Sequence, residues 1–338
     1  MRGKRWTLVG QKGMAIVSLD EAEDKSGRGT RRSPRLRQRV AWMYYVEEMT
    51  QSAIADTLGI GRITVVRLLA EARALREVRI GLAREISDLA GIEIEAQKRL
   101  GVAEVVVAPL SAGGDARAVI AAAAGEYVSR MLRPDMKIGL GWGDTLSRMV
   151  GFLEVKTVPR MSVVSLLGGV MRARAANPAE CAWQFSRAYM ADCYMLAAPA
   201  IVDSRETKRT LIERCGLGEV YDRAGALDAV VVGVGGDTSI SVAKSYGLID
   251  DEDVAGLKTR GAVGNILFTF FDADGVPLDH PVNGRIMSIP VESLRKAPVR
   301  VIVSGGPDKV KAIVAGCRLL RPTALITDEA TAKAIVAL

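Results

Sequence analysis

The 338-residue sequence holds a single histidine, His280, and only four cysteines: Cys181, Cys193, Cys215 and Cys317. No C-x-x-C pair and no Cys/His cluster occurs, so the sequence indicates neither a zinc site nor a disulfide framework. No metal and no cofactor is expected, and the thiols read as small buried side chains of a reducing compartment. No apolar run approaches the roughly 18–20 residues of a membrane span. In the opening MRGKRWTLVGQKGMAIVSL, Gln11, Lys12 and Gly13 interrupt what would have to be a signal-peptide core. A cytoplasmic protein with no membrane partner is the expectation. Also missing are a nucleophile–base–orienter set and a paired-carboxylate motif, the usual marks of an enzyme.

Apolar residues make up 49% and charged residues 25%, as in a globular chain, and the length allows two domains. The net charge of +7 is unevenly placed. Residues 1–85 carry 17 Lys plus Arg against 10 Asp plus Glu, which accounts for the whole excess, and the rest of the chain is neutral. A basic module on a neutral body fits a nucleic-acid-binding head joined to a sensor or an enzyme.

Residues 1–32 read as a disordered basic tail, because EAEDKSGRGTRRSP mixes both charges with Gly, Ser and Pro. Met14 is an alternative start. A helix-turn-helix domain is expected over residues 33–82. Leu36, Val40, Met43 and Tyr44 trace the apolar face of its first helix. Thr50 stands where an N-cap belongs, ahead of QSAIADTL. Gly59 suits the left-handed turn that ends that helix, and Val65, Leu68, Leu69 and Ala72 line one face of the next. This spacing places the last helix in the major groove of double-stranded DNA. Arg62, Thr64 and Arg67 are the exposed reading edge, with Thr50 and Gln51 at the backbone-contacting start of the preceding helix. VRIGL, residues 78–82, reads as a short strand.

Residues 83–100 read as a linker helix whose apolar stripe (Ile86, Leu89, Ile92, Ala96, Leu100) offers a coupling and interface element. From residue 101 to the end, continuously apolar runs alternate with helix-length segments. The runs begin with EVVVAP, KIGLGW and SVVSLL and end with LDAVVVGVG, VRVIVSGG and TALIT. The fold class is therefore α/β: an all-α helix-turn-helix head followed by a doubly wound, mostly parallel sheet.

Glycine turns follow several strands: Gly141 and Gly143, Gly168 and Gly169, Gly233 and Gly235, Gly305 and Gly306. Strand carboxyl ends are where open α/β sheets bind ligands. Free N–H groups at Asp144 and Thr145 can hold an anion. Arg172, Asp272, Lys309, Asp328 and Glu329 are the charged candidates for such a crevice. Lys309 either meets a phosphate as a point charge or is a solvated surface lysine. His280, within DADGVPLDHP, reads as part of a hairpin turn with a structural role.

At this point the chain resembles the SorC family of sugar-binding transcription regulators. The resemblance is carried by YYVEEMTQSAIADTLGIGRITVVRLLAEAR, GLGWGDTL, LLGG, APAIVDS, GAVGNILFTFFDADGVPLDHPVNGR, SGGPDKVKAI and LITDEATA, in that order. It implies a C-terminal domain similar to ribose-phosphate isomerases, glucosamine-phosphate deaminases and CoA-transferases, used as a sensor. It also implies operator DNA and a sugar or sugar-phosphate effector as partners, and a homodimer or homotetramer. By position it puts the phosphate turn at Gly143, Asp144 and Thr145, with further contacts at Arg172, Gln184, Asn265, Asp272 and Lys309. Gly61, Ile63 and Val66 stand in the reading helix where the family often has Ser, Pro and Ser. The rival reading is a sugar-phosphate isomerase or deaminase with an accessory DNA-binding head.

Overall fold

The computed structural model describes residues 16–17, 34–75, 77–79, 89–111, 113–154, 156–171 and 177–338. The chain divides into two units, Met1–Ser87 and Asp88–Leu338. The expected disordered tail lies outside the described residues except for β1 (Ile16–Val17). That strand pairs antiparallel with β2 (Val78–Arg79).

In the first unit, α1 (Pro34–Tyr45), α2 (Gln51–Leu58) and α3 (Arg62–Ala74) close around Val40, Met43, Ile54, Val65, Leu68 and Ala72, all buried. The hydroxyl of Thr50 caps α2 by accepting the Ala53 N–H at 3.2 Å. Gly59 ends α2 with φ of 61°, a left-handed conformation that a Cβ would strain. The predicted strand is present as Val78–Arg79; its continuation lies outside the described residues.

The second unit begins with α4 (Ala90–Leu100), β3 (Glu104–Ala108), α5 (Ala116–Met131), β4 (Lys137–Leu140) and α6 (Asp144–Met149), which a 3-10 turn extends. β5 (Ser162–Ser165), α7 (Pro178–Tyr189), β6 (Asp192–Tyr194), α8 (Arg205–Arg214), α9 (Gly218–Ala224) and β7 (Ala229–Val232) follow. Next come α10 (Thr238–Ser245), α11 (Asp251–Thr259), the hairpin of β8 (Gly264–Ile266) and β9 (Thr269–Phe271), α12 (Pro281–Arg285) and α13 (Val291–Leu294). β10 (Val299–Val303), α14 (Val310–Leu320), β11 (Ala324–Asp328) and α15 (Glu329–Val336) complete it.

Seven strands form one parallel sheet in the order β3-β11-β10-β7-β4-β5-β6. Its register aligns Val301 with both Val231 and Ala324. Side chains alternate between two cores. Val105, Val107, Val230, Val232 and Ile302 enter one cluster, and Val106, Ala229, Val231, Val301 and Val303 enter the other. Both faces are covered by helices, which is why the strands read as unbroken apolar runs. Burial drives the Cys181 and Cys317 thiols up to about 12, as expected of inert core groups.

The expected linker helix needs correction. From Ala90 onward it is part of the sheet unit: Leu89 and Ala96 are buried in the core, with Ile92 and Leu100 packed against it. Its stripe is consumed by its own domain, and Ile86 lies outside the described residues. The Glu93 side chain of α4 accepts the Val107 N–H of edge strand β3 at 2.9 Å.

Candidate functional site: a cleft at the sheet's switch point and an exposed helix face

After β4 the chain passes to β5 on one side of the sheet, whereas after β7 it passes to β10 on the other. The two loops diverge and leave a crevice above the carboxyl ends of β4 and β7, the place where doubly wound sheets bind ligands. A cleft of about 320 Å³ opens there. Trp142, Gly143, Asp144 and Thr145 enter it from the end of β4, and Gly233, Val234, Gly235 and Gly236 from the end of β7. Thr238, Ser239 and Tyr246 of α10 and its end, with Ser304 and Lys309 beyond β10, add polar groups.

The fourth wall is the β8–β9 hairpin. Asn265 and Gly235 exchange both backbone N–H···O bonds, each 2.9 Å, which stitches the hairpin onto the β7 loop. A side chain at Gly235 would collide with Ser239 at 2.7 Å and the Asn265 amide at 2.8 Å. The hairpin turn itself is Leu267 and Phe268, both with positive φ, 52° and 61°. Consecutive left-handed residues make the tight turn that fits strand twist, but Asn-Gly is its usual sequence and bulky residues there are strained. Two contacts hold the turn. The Asn265 carboxamide oxygen accepts the Phe268 N–H at 3.1 Å while its amide donates to Ser239 Oγ at 2.6 Å. Phe268 also packs on Trp142, with ring centroids 5.3 Å apart, and Trp142 meets Tyr246 at 6.1 Å. The result is an aromatic wall facing a polar one.

Cations cluster at the polar side. Asp144 Oδ2 receives Arg148 Nε at 3.0 Å and Arg117 Nη1 at 3.2 Å, and Arg148 also reaches Asp115 at 3.0 Å. Partial burial opposes ionisation of Asp115, yet the Arg117 backbone N–H and the two guanidiniums hold its carboxyl below the usual range. These four charges balance one another. Among the described residues that line the cleft, Lys309 is the remaining cation: burial lowers its pKa, with Arg117 adding to the effect. Asp308 and Asp144 oppose that lowering only through space, without a hydrogen bond to the ammonium among the described residues. Such a lysine is poised to gain from an incoming anion.

Of the residues expected from sequence, Gly143, Asp144, Thr145, Gly233, Gly235, Asn265 and Lys309 line the cleft together. Gly141 lies just beneath them, bonding Val231 in the sheet. The others stand elsewhere. Gly168 and Gly169 bond Met287 and Ala198 beyond β5, on the far side of the switch point. Gln184 pairs with Glu180 on α7 at 2.7 Å. Asp272 is a turn-former, its carboxylate accepting the Asp274 and Val276 N–H groups at 2.9 Å. Asp328 is fully buried as the cap of α15 and also holds the Gly306 N–H at 3.1 Å. Glu329, at the start of α15, pairs with Lys333 at 2.7 Å. Arg172 lies outside the described residues. His280 has the structural role expected: its Nδ1 accepts the Val282 N–H at 3.3 Å and caps α12. Arg117, Trp142, Ser239, Tyr246, Phe268 and Ser304 escaped the sequence reading. Trp142, inside the glycine-rich KIGLGWG, carried the one usable signal.

In the first unit, Arg62 and Arg67 stand exposed on α3, with Thr64 half-buried, while the opposite face of the helix packs on α1 and α2. Gln51 opens α2 beside the Thr50 cap.

A two-unit chain with a basic three-helix head and a ligand cleft at the sheet's switch point has the organisation of a ligand-responsive regulator. Residues 84–337 match the Sugar-bind family model, which describes a sugar-binding domain. The chain belongs to this family, the SorC family of sugar-binding transcription regulators, and is a regulator rather than an enzyme. It is 30% identical over 304 residues to the erythritol catabolism regulatory protein EryD of Brucella abortus, covering 88% of this chain and 95% of that one. It is 29% identical over 305 residues to the transcriptional regulator LsrR of Escherichia coli, covering 88% and 93%. The full-length sorbitol operon regulator SorC of Klebsiella pneumoniae shares the fold at a TM-score of 0.68 and 24% identity, over 89% of this chain and 98% of that one.

Proposed function

We propose that this chain controls a carbohydrate-catabolism operon by binding operator DNA through α3 and a monosaccharide phosphate, or the phosphate of a sugar alcohol, in the switch-point cleft. The observation that carries the reading is the partly buried Lys309 ammonium, without a hydrogen bond among the described residues, in the same cleft as the helix-opening turn at residues 143–145. Backbone N–H groups at a helix start and a lysine together suit phosphate oxygens. The polar lining around Thr238 and Ser239 suits hydroxyls, and the rings of Trp142 and Phe268 suit an apolar sugar face. Carbohydrate catabolism is supported by the names of the Brucella and Klebsiella relatives. Arg62 and Arg67 suit guanine edges, Thr64 a base or phosphate, and Gln51 a phosphate beside the Thr50 cap. The working form is a homodimer or homotetramer, because paired heads match symmetric half-sites. The effector biases two arrangements of that assembly with different affinities for DNA.

A thermal-shift screen of sugar phosphates and their free parents, followed by DNA release assays with the hits, tests the reading. A phosphorylated ligand should stabilise the protein and change its DNA affinity. Equal binding of the free sugar would dismiss the phosphate, and stabilisation without any effect on DNA would dismiss the regulatory role.

A further inference from the structure

The outward face of α3 carries two apolar side chains as well as its arginines. Ile63 is 86% exposed and Val66 45% exposed. They lie three residues apart, so they share a face, and each is four residues from an arginine: Ile63 from Arg67, Val66 from Arg62. The buried side of the helix is already complete with Val65, Leu68, Leu69 and Ala72, so neither residue is needed for the three-helix core.

Both choices carry a local penalty. A β-branched residue is a poorer helix former than Lys, Gln or Glu, and an exposed isoleucine forgoes the gain of burial. A surface helix turn with that composition is stabilised only when something removes water from the methyl groups. The flanking guanidiniums indicate what that partner is. They are matched to phosphates and guanine edges, so whatever covers Ile63 and Val66 also carries those groups. The major groove offers one prominent apolar feature, the C5-methyl of thymine, and offers it at the depth that helix side chains reach. β-branching then becomes useful. In a helix it leaves one strongly preferred χ1 rotamer, so the methyl groups are held in place before DNA arrives.

We propose that Ile63 and Val66 read thymine methyl groups, giving this regulator an operator preference for T·A pairs flanked by the base pairs that Arg62 and Arg67 contact. The inference rests on the operator-reading role of α3 proposed above.

The test begins with selection of preferred sites from a random duplex pool by the full-length protein. Each thymine of the enriched site is then replaced singly by deoxyuridine, which removes only the methyl group. Binding is titrated at one fixed salt concentration with wild type, I63A and V66A. At one or more thymines per half-site the wild type should bind the deoxyuridine duplex about threefold to fivefold more weakly, the effect of one buried methyl group. I63A or V66A should be weaker by a similar factor on the thymine duplex and indifferent to the replacement at that position. Neither residue is in the core, so both variants should keep the melting temperature of the wild type. A wild type indifferent to every replacement overturns the proposal, as does a full deoxyuridine penalty that persists in both variants. Either result leaves operator binding itself intact. Failure to enrich any sequence would instead sink the operator reading.

Discussion

Arg37 of α1 grips both carboxylate oxygens of Glu77, Nε at 2.6 Å and Nη2 at 2.5 Å, and its remaining nitrogen reaches Glu71 on α3 at 3.0 Å. The hydrogen bond to Glu77 is the largest influence on the guanidinium and raises its already high pKa. A planar fork matched to a carboxylate has geometry that an ammonium lacks. The pair joins the first helix of the three-helix unit to the segment that follows the last. Glu77→Ala leaves Arg37, only 8% exposed, without its main partner. Removing one partner of a buried pair costs about 3–5 kcal/mol, and the remaining Glu71 contact places the expected loss at the lower end. Melting of the isolated residues 1–87 and of the full chain, followed by circular dichroism, measures it. Arg37→Lys keeps the charge but not the fork and should itself lose more than half as much.

On the DNA side, Arg62→Ala and Arg67→Ala should each weaken specific binding by about 1–3 kcal/mol if the arginine reads a base. Titrations against operator and scrambled duplex separate base readout from phosphate attraction. Equal losses on both duplexes would reassign the residue to the backbone, and no loss on either would remove it from the interface.

Lys309→Ala should weaken a phosphorylated effector tenfold or more, since charge-assisted bonds contribute about 1.5–3 kcal/mol, and leave the free parent sugar nearly unchanged. Calorimetric titration of both ligands into both proteins reads the difference. Because the pKa of Lys309 is lowered, raising the pH should weaken phosphate binding earlier than it would for an ordinary lysine.

Asn265→Ala removes the acceptor for Phe268 N–H and the donor to Ser239 at once. Losing a buried hydrogen-bonding group costs about 1–3 kcal/mol of stability. The larger consequence falls on the left-handed Leu267–Phe268 turn, which then loses its side-chain anchor. Effector affinity should therefore drop by more than the stability loss of a conservative Asn265→Ser variant would suggest. Binding compared with melting temperature across the two variants checks this.

His280 supplies the pH-dependent prediction. Burial lowers its pKa below the ordinary 6.5. The unfolded chain therefore takes up a proton first as the pH falls below about 6.5, and stability declines through that window down to the folded-state pKa. Above it His280 contributes no slope. His280→Asn keeps an acceptor for the Val282 N–H and should flatten this part of the curve. Melting temperatures from pH 5 to 8 for both proteins decide, and identical slopes would clear His280 of the effect.

The parts legible in the sequence were those with strong periodicity. Thr50, Gly59, Val65 and Leu68 placed the head, and the unbroken valine runs placed the parallel strands. The glycine turns then located most of the cleft. Residues 218–294 were harder, because their helices have four to nine residues and present too few turns for a 3.6-residue pattern to emerge. In NILFTFF, Leu267 and Phe268 form a reversal whose usual Asn-Gly signature is absent, so the run reads as one apolar stretch. The aromatic wall was hidden with it. Asp272 drew attention for its charge and Gln184 only through the family resemblance; one closes a turn and the other pairs along its own helix. The pairing of β3 with β11 joins opposite ends of the unit, a relationship that no local pattern encodes.

The carboxylate of Glu93 on the Val107 N–H means that one rim of the sheet is plugged from within. An incoming strand would need that donor and would have to evict an anion to obtain it. Assembly by strand addition is thereby closed off at β3. Open-ended stacking of sheets therefore cannot start at that rim without displacing this single side chain.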